Sequence, residues 1–165
     1  MEKIKWCICI KNGLELAEPN ENLSNAYLKK SEDALKAAAS LKDNPDWEIS
    51  SSYYAMYFAL YSLLMKIGVK CENHSCTIEF MKEFLKKHFN QEDIDLMAKS
   101  MNARVDAQYY SNREISKEFY NKMVLSSPKF LAKCKEVALR INEDEINLIR
   151  DKMTSLIRAC KKQEE

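Results

Sequence analysis

A chain of 165 residues with 26 Lys and Arg against 25 Asp and Glu has a net charge of +1 and the length of a single domain. The near balance of charge argues against a dedicated DNA- or RNA-binding protein, which usually carries a basic excess, but it leaves room for a local basic site. Only 2 Gly and 3 Pro are present. Because strand-rich folds need these residues in their turns, the composition predicts long helices joined by few tight corners.

Helix boundaries are legible along the first half of the chain. The first twelve residues fit a strand or a helix, and we favour a helix because a single strand has no partner. Asn20 caps a helix that runs to about Lys42. Asn44 caps the next helix with Pro45 in its first turn, and Gly68 ends it because glycine accepts a left-handed conformation at little cost.

Capping signals continue in the second half of the chain. Ser75, Asn90 and Asn142 are the predicted caps of three helices, and Pro128 is predicted to open another. The predicted helices there are 75–88, 90–112, a short one at 114–125, 128–141 and 142–162. The sequence therefore predicts an all-α fold, an up-and-down antiparallel helical bundle with an additional C-terminal helical extension. We expect one domain over 1–165, with a core at about 20–125 and C-terminal helices at about 128–162.

The six cysteines are expected to be free thiols. Met1–Lys11 carries three lysines and lacks the apolar run of a secretory signal. A chain of this length also needs no disulfide staples, so we predict a cytoplasmic location. The most apolar run, Tyr53–Met65, is shorter than the roughly 20 residues of a membrane-spanning helix and contains several tyrosines. It fits a buried core helix, and no membrane association is predicted.

Cys71, His74 and Cys76 offer three possible zinc ligands. A structural zinc site needs four ligands in tetrahedral array, and this spacing matches no recognised finger. No metal site and no cofactor are therefore predicted. The alternative is that His74, which lies just before the third helix, helps to cap that helix.

Four tyrosines share the second long helix, and Tyr54, Tyr57 and Tyr61 fall on one face of it. They could form a stacking platform for nucleic-acid bases. The alternative is core packing, in which each ring is buried and each hydroxyl finds one partner. Because the other faces of this helix are also apolar, we favour core packing.

Arg104 lies at the edge of the apolar face of the helix predicted at 90–112. Gln108 follows it at i+4 and Ser111 at i+7. A guanidinium at a core boundary is always charged, so it must be paired or must face a polar cleft. As a functional residue it would bind a phosphate or carboxylate; as a structural one it would pair with an acid such as Asp33 or Glu48.

The tyrosine-rich segment YYAMYFAL at 53–60, its glycine-terminated end, the loop with His74 and the later Arg-x-x-Ala-x-Tyr resemble the HEPN family. The likeness is strongest to an uncharacterised prokaryotic branch and covers most of residues 1–125. It implies a four- or five-helix bundle that usually dimerises. Many members pair with small nucleotidyltransferases in toxin–antitoxin modules, and the active ones are metal-independent ribonucleases.

The active members use an arginine followed, after four to six residues, by a histidine. The resemblance places that arginine at Arg104, but the positions for the histidine hold Tyr109, Tyr110 and Ser111. A phenol is a poor base at neutral pH, and five residues of helix rotate Tyr109 by about 140° from Arg104. In some members a tyrosine near this motif accepts AMP from the partner transferase, a role open to Tyr109 or Tyr110. His74 could instead supply the missing imidazole from another helix.

Three hypotheses follow. The leading one is a homodimeric binding module, associated with nucleotides or RNA or acting in a toxin–antitoxin-like pair, with a degenerate ribonuclease centre. In this hypothesis the protein is not an enzyme. Its binding residues would be Arg104, Gln108, Tyr110 and Ser111. The first alternative is an active metal-independent RNA endonuclease that uses Arg104 with His74 or Tyr109. The second is a structural protein whose C-terminal helix packs on another chain.

Overall fold

The computed structural model describes residues 2–161, which form seven helices and one short two-stranded ribbon. The helices are α1 Glu2–Cys9, α2 Glu21–Ser40, α3 Pro45–Ile67, α4 His74–Phe84, α5 Gln91–Tyr109, α6 Lys117–Arg140 and α7 Glu143–Lys161; the strands are β1 Glu15–Leu16 and β2 Val69–Lys70. The predicted all-α bundle and the N-terminal helix are confirmed, while Lys162, the predicted end of the last helix, lies outside the described residues. None of the helices between residues 2 and 161 has both the length and the apolar character needed to cross a bilayer.

Helix α3 is the centre of the bundle and packs along α2, α5 and α6. Leu60, Leu63 and Leu64 are completely buried on it, as an apolar sequence on nearly every side of a helix requires. It ends where predicted, at Gly68, whose φ of 82° is left-handed. A side chain there would also meet the carbonyl oxygen of Ala17 at 2.6 Å, so the position needs glycine.

The predicted caps are partly confirmed. The side chain of Asn20 accepts a hydrogen bond from the backbone of Leu23, and Asn90 forms a reciprocal capping box with Asp93. Asn44, by contrast, makes no side-chain cap bond, although Pro45 does occupy the first turn. The cap of the third predicted helix is Asn73 and not Ser75, so α4 begins two residues earlier than that cap predicted.

The predicted break before Pro128 is wrong, because α6 is continuous through it. Proline lacks an N–H, which deprives the carbonyl of Val124 of its helical partner. The hydroxyl of Ser127 donates to that carbonyl at 3.1 Å instead. The helices predicted at 114–125 and 128–141 are therefore one helix, and the grouping into core and C-terminal helices remains a prediction.

The ribbon was not predicted. Glu15 pairs with Lys70 and Leu16 with Val69, in antiparallel register, so the segment after α1 lies beside the end of α3. Arg150 of α7 secures this junction, since its Nη1 donates to the carbonyls of Ala17, Ile67 and Gly68 at 2.7, 3.0 and 3.0 Å. The guanidinium thus satisfies carbonyls that the end of α3 leaves without helical partners.

The expectation of six free thiols is wrong for four of the cysteines. Cys7 forms a disulfide with Cys76, and Cys9 forms one with Cys160, across Cα–Cα distances of 5.4 and 6.0 Å. Both bonds start from α1 and tie it to α4 and to α7. Separations of 69 and 151 residues along the chain give no local signal for this pairing, which depends on how α1 lies across the bundle.

The two disulfides predict a definite thiol count. Alkylation in denaturant without a reductant should modify only Cys71 and Cys134, the two free cysteines, and prior reduction should raise the number to six. Intact-mass measurement reports both numbers. Cys7→Ser should lower the free energy of unfolding by about 2–4 kcal/mol under non-reducing conditions, because the unfolded chain loses a long cross-linked loop. Six modified cysteines without reductant would contradict the pairing.

Candidate functional site

Arg104 reaches the site from α5, one turn beyond the fully buried Ser100. Its Nη2 donates to the hydroxyl oxygen of Tyr54, and its guanidinium carbon lies 5.2 Å from the centroid of the Tyr54 ring and 5.9 Å from that of Tyr53. Its Nε is buried and has no hydrogen-bond partner in the described part of the chain. The guanidinium therefore rests on aromatic rings with donor capacity left over.

The acids proposed as structural partners of Arg104 are engaged elsewhere. Asp33 pairs with Lys29 and Lys36 on its own helix, and Glu48 accepts a hydrogen bond from the hydroxyl of Tyr120. Within residues 2–161, no carboxylate forms an ion pair with Arg104. The structural interpretation of this arginine thus lacks the counter-charge that it requires, which favours the functional one.

His74 reaches the same place from the first position of α4. The side chain of Asn73 accepts hydrogen bonds from the backbone N–H groups of Ser75 and Cys76 and so starts the helix at His74. The imidazole stacks on the Tyr57 ring with centroids 4.0 Å apart and planes 4° apart. Its ring centroid is also 6.2 Å from that of Tyr54, so Tyr54 contacts both His74 and Arg104.

The hydrogen bond between Tyr53 and His74 determines the protonation of the imidazole. The Tyr53 hydroxyl oxygen lies 2.6 Å from His74 Nδ1. Burial, followed by the neighbouring Tyr57, raises the pKa of the Tyr53 phenol well above its ordinary value, so the phenol keeps its proton and donates it to an acceptor. The Tyr53 hydroxyl has no other acceptor among the described residues, so we assign Nδ1 as the acceptor and place the ring hydrogen on Nε2. Burial and then the charge of Arg104 lower the pKa of His74, which keeps it neutral at pH 7.

The tyrosines of α3 divide between core and surface. Tyr53 and Tyr57 are buried, as predicted, whereas Tyr54 and Tyr61 are only half-buried. Core packing is confirmed for Tyr57, while Phe58 lies with Tyr54 and Tyr61 on the half-buried side of the helix. Core packing therefore accounts for one side of this helix, and the other side remains accessible beside Arg104 and His74.

The remaining predicted site residues lie on or beyond the last turn of α5. Gln108 is exposed one turn after Arg104, and Tyr109 is 69% exposed at the helix end. The guanidinium carbon of Arg113 lies 3.7 Å from the centroid of the Tyr110 ring. Together with Ser111, Tyr110 lines a separate cavity of about 520 Å³ beside the start of α3. The structure brings Arg104 and His74 together and gives the tyrosines after Arg104 other neighbours.

The three zinc-ligand candidates are each engaged with other groups. The sulfur of Cys76 is bonded to Cys7, the thiol of Cys71 donates to the carbonyl of Asn73, and His74 Nδ1 is held by Tyr53. The other histidine, His88, lies 3.0 Å from a carboxylate oxygen of Glu145 on α7. No cluster of metal-binding side chains occurs within residues 2–161.

Sequence reasoning missed Tyr53 and Tyr54 as parts of the site. They are adjacent on α3. The hydroxyl of Tyr53 contacts His74 of α4, whereas the hydroxyl of Tyr54 contacts Arg104 of α5. The useful signal was present as an arginine at a core boundary and a histidine directly after a capping asparagine. The arrangement gathers N–H and O–H donors around one positive charge, which is suited to binding an anionic oxygen such as that of a phosphate.

A protein-family model described as HEPN domain matches residues 24–137, more than half of the chain. The match includes Arg104, His74 and all of α3, and it leaves α1 and α7 outside. No curated protein matches the chain.

The lowered pKa of His74 predicts a pH dependence of stability. The unfolded chain binds a proton at this residue near pH 6.5, and the folded chain binds it only at lower pH. The stabilisation is complete above pH 6.5 and is lost as the pH falls below it. Denaturant unfolding at about pH 7.5 and 5.5 should show a smaller loss in His74→Gln than in wild type. Equal losses in the two proteins would contradict the burial of a neutral imidazole.

Proposed function

Because the chain belongs to the HEPN domain family, we propose that it binds the phosphate groups of RNA or nucleotides through Arg104 and His74, at a degenerate ribonuclease centre. The observation that carries this proposal is a half-buried guanidinium that forms no ion pair within residues 2–161, beside a neutral imidazole. A charge in such a position is stabilised by an anion that supplies the missing hydrogen-bond acceptors. Tyr54 adds a hydroxyl that accepts from Arg104 and keeps its own hydrogen for a ligand.

The protonation of His74 supports binding over cleavage. A general base must offer an unprotonated nitrogen to the 2′-hydroxyl of a ribose. In the assigned tautomer Nδ1 is occupied by Tyr53 and Nε2 carries a hydrogen, so the ring donates to a phosphate oxygen and does not accept a proton. The positions where active relatives carry the histidine hold Tyr109 and Tyr110. Tyr109 is exposed, and the Tyr110 ring lies against Arg113.

A second candidate is an RNA endonuclease that uses Arg104 with His74. The observation that favours it is that both side chains contact Tyr54, although they are thirty residues apart in sequence and lie on different helices. Such an enzyme would need the other tautomer, in which Nδ1 donates to Tyr53 and Nε2 is free. That arrangement leaves the buried hydroxyl hydrogen of Tyr53 without an acceptor among the described residues, which costs free energy.

The third hypothesis is a structural protein whose last helix packs on another chain, and the buried residues of that helix do not support it. Ile149 and Met153 of α7 are buried within their own chain. From the family resemblance, we propose that the protein is a homodimer that pairs with a nucleotidyltransferase in a toxin–antitoxin-like module. The cytoplasmic location that we expected from six free thiols stays a proposal without that support, because four of the cysteines form disulfides. Disulfides are rare in a reducing cytoplasm, so the thiol count described above also bears on that location.

The binding proposal predicts a specific loss of affinity. Arg104→Gln should weaken binding of a short fluorescein-labelled oligouridylate by about 10- to 100-fold, the effect of losing a charge-assisted hydrogen bond. His74→Gln should weaken it less, because a neutral donor contributes less than a charged one and the glutamine amide still offers an N–H. Fluorescence anisotropy at one fixed salt concentration measures both.

Arg113→Gln is the matched control for charge, since Arg113 is exposed and pairs with Asp106. It should change the affinity by less than about twofold, the size of an ordinary surface effect. Equal losses in Arg104→Gln and Arg113→Gln would overturn the site. The same oligonucleotide analysed on a gel without metal tests the second candidate, because cleavage by wild type that both Arg104→Gln and His74→Gln abolish would replace binding with catalysis.

A further inference from the structure

One face of α3 remains open and is lined by aromatic rings. Tyr54, Phe58 and Tyr61 follow one another at i, i+4 and i+7, and each is half-buried. Tyr27 of α2 joins them, with its ring centroid 6.0 Å from that of Phe58 and 4.7 Å from that of Tyr61. The centroids of the Tyr54 and Phe58 rings are 5.5 Å apart, and their planes meet at 29°. We call these four residues the aromatic stripe.

The aromatic stripe has a cation at two points along it. The Nζ of Lys30 lies 5.3 Å from the centroid of Tyr27 and 5.6 Å from that of Phe58. The guanidinium of Arg104 lies 5.2 Å from the centroid of Tyr54. From Tyr54 to Tyr61 the helix rises about 10 Å, so the rings extend away from the phosphate site, and Lys30 lies beside the middle of the stripe, at Tyr27 and Phe58.

This pattern distinguishes between possible occupants. An apolar surface of a second chain would cover the rings but would leave Lys30 and Arg104 without counter-charges, which is costly in a buried interface. A single strand of nucleic acid offers planar bases to the rings and phosphates to the cations. The two cations, one at Tyr54 and one at Phe58, thus match a chain in which charged and planar groups alternate.

We propose that the aromatic stripe is a base-stacking subsite for the nucleotides next to the phosphate held at Arg104 and His74. The inference rests on the proposed phosphate-binding function and adds that the ligand is single-stranded, since the faces of paired bases are covered by their neighbours. Phe58 is its central residue because it has a ring on each side and carries no polar group. Sequence preference is expected to be weak, because every base has an aromatic face.

The test compares two probes of equal length and charge: a short oligoribonucleotide with bases and an abasic ribose-phosphate chain. Wild type should bind the base-bearing probe at least about tenfold more tightly, the contribution of stacking one or two bases. Phe58→Leu should lose most of that difference and keep the affinity for the abasic chain. Phe58→Tyr, which keeps a ring, should behave as wild type. Phe119→Leu, the same change at a half-buried phenylalanine on α6, should have no effect.

The outcomes separate the inference from the function on which it rests. Equal affinity of wild type for the two probes overturns the stacking subsite and leaves phosphate binding intact. Failure to bind either probe overturns both. Loss of dimerisation in Phe58→Leu by analytical ultracentrifugation, with the base-dependent difference unchanged, shows that a second copy covers the stripe and overturns the inference. The comparison of the two probes uses wild type alone, so it can overturn the inference even if Phe58→Leu misfolds.

Discussion

Helix α3 must fill the centre of the bundle and, within a single turn, also hold two side chains of different helices. Tyr53 is completely buried, and its hydroxyl has His74 Nδ1 as its hydrogen-bond partner. The next residue, Tyr54, is half-buried and binds Arg104. Because consecutive helical residues point about 100° apart, Tyr53 contacts the imidazole from the core side of α3, while Tyr54 contacts the guanidinium from its half-buried side. The chemistry of the site follows from this pair of contacts.

The extensions at both ends support that arrangement. Cys76, bonded to Cys7, lies two residues after His74 in the first turn of α4, so α1 anchors the turn that carries the imidazole. The disulfide between Cys160 and Cys9 ties α7 to α1, and Arg150 holds α7 against the end of α3. Both extensions lie outside the region shared with the family. They hold the shared bundle from outside, and their described residues contribute no side chain to the site.

Local signals predicted most of the fold, and long-range contacts account for what was missed. The cap at Asn90 and the glycine end at Gly68 were readable because each depends on residues within one turn. Pro128 misled because a neighbouring serine hydroxyl replaces the missing hydrogen bond, which cannot be inferred from proline alone. Arg104 was identified as a boundary charge, and His74 as a possible partner, but their convergence on Tyr54 depends on how α3, α4 and α5 pack. The spacing of these residues along the sequence does not predict that they meet in the fold.

The central claim is that His74 is a neutral hydrogen-bond donor that shares an anion with Arg104. The most direct measurement is the tautomer and pKa of His74 by ¹⁵N NMR, with and without a short single-stranded RNA. The account predicts a hydrogen on Nε2 and a pKa below 6.5 in the free protein, followed by a rise when RNA brings a negative charge to the ring. A hydrogen on Nδ1, or a pKa that RNA leaves unchanged at saturation, would contradict it.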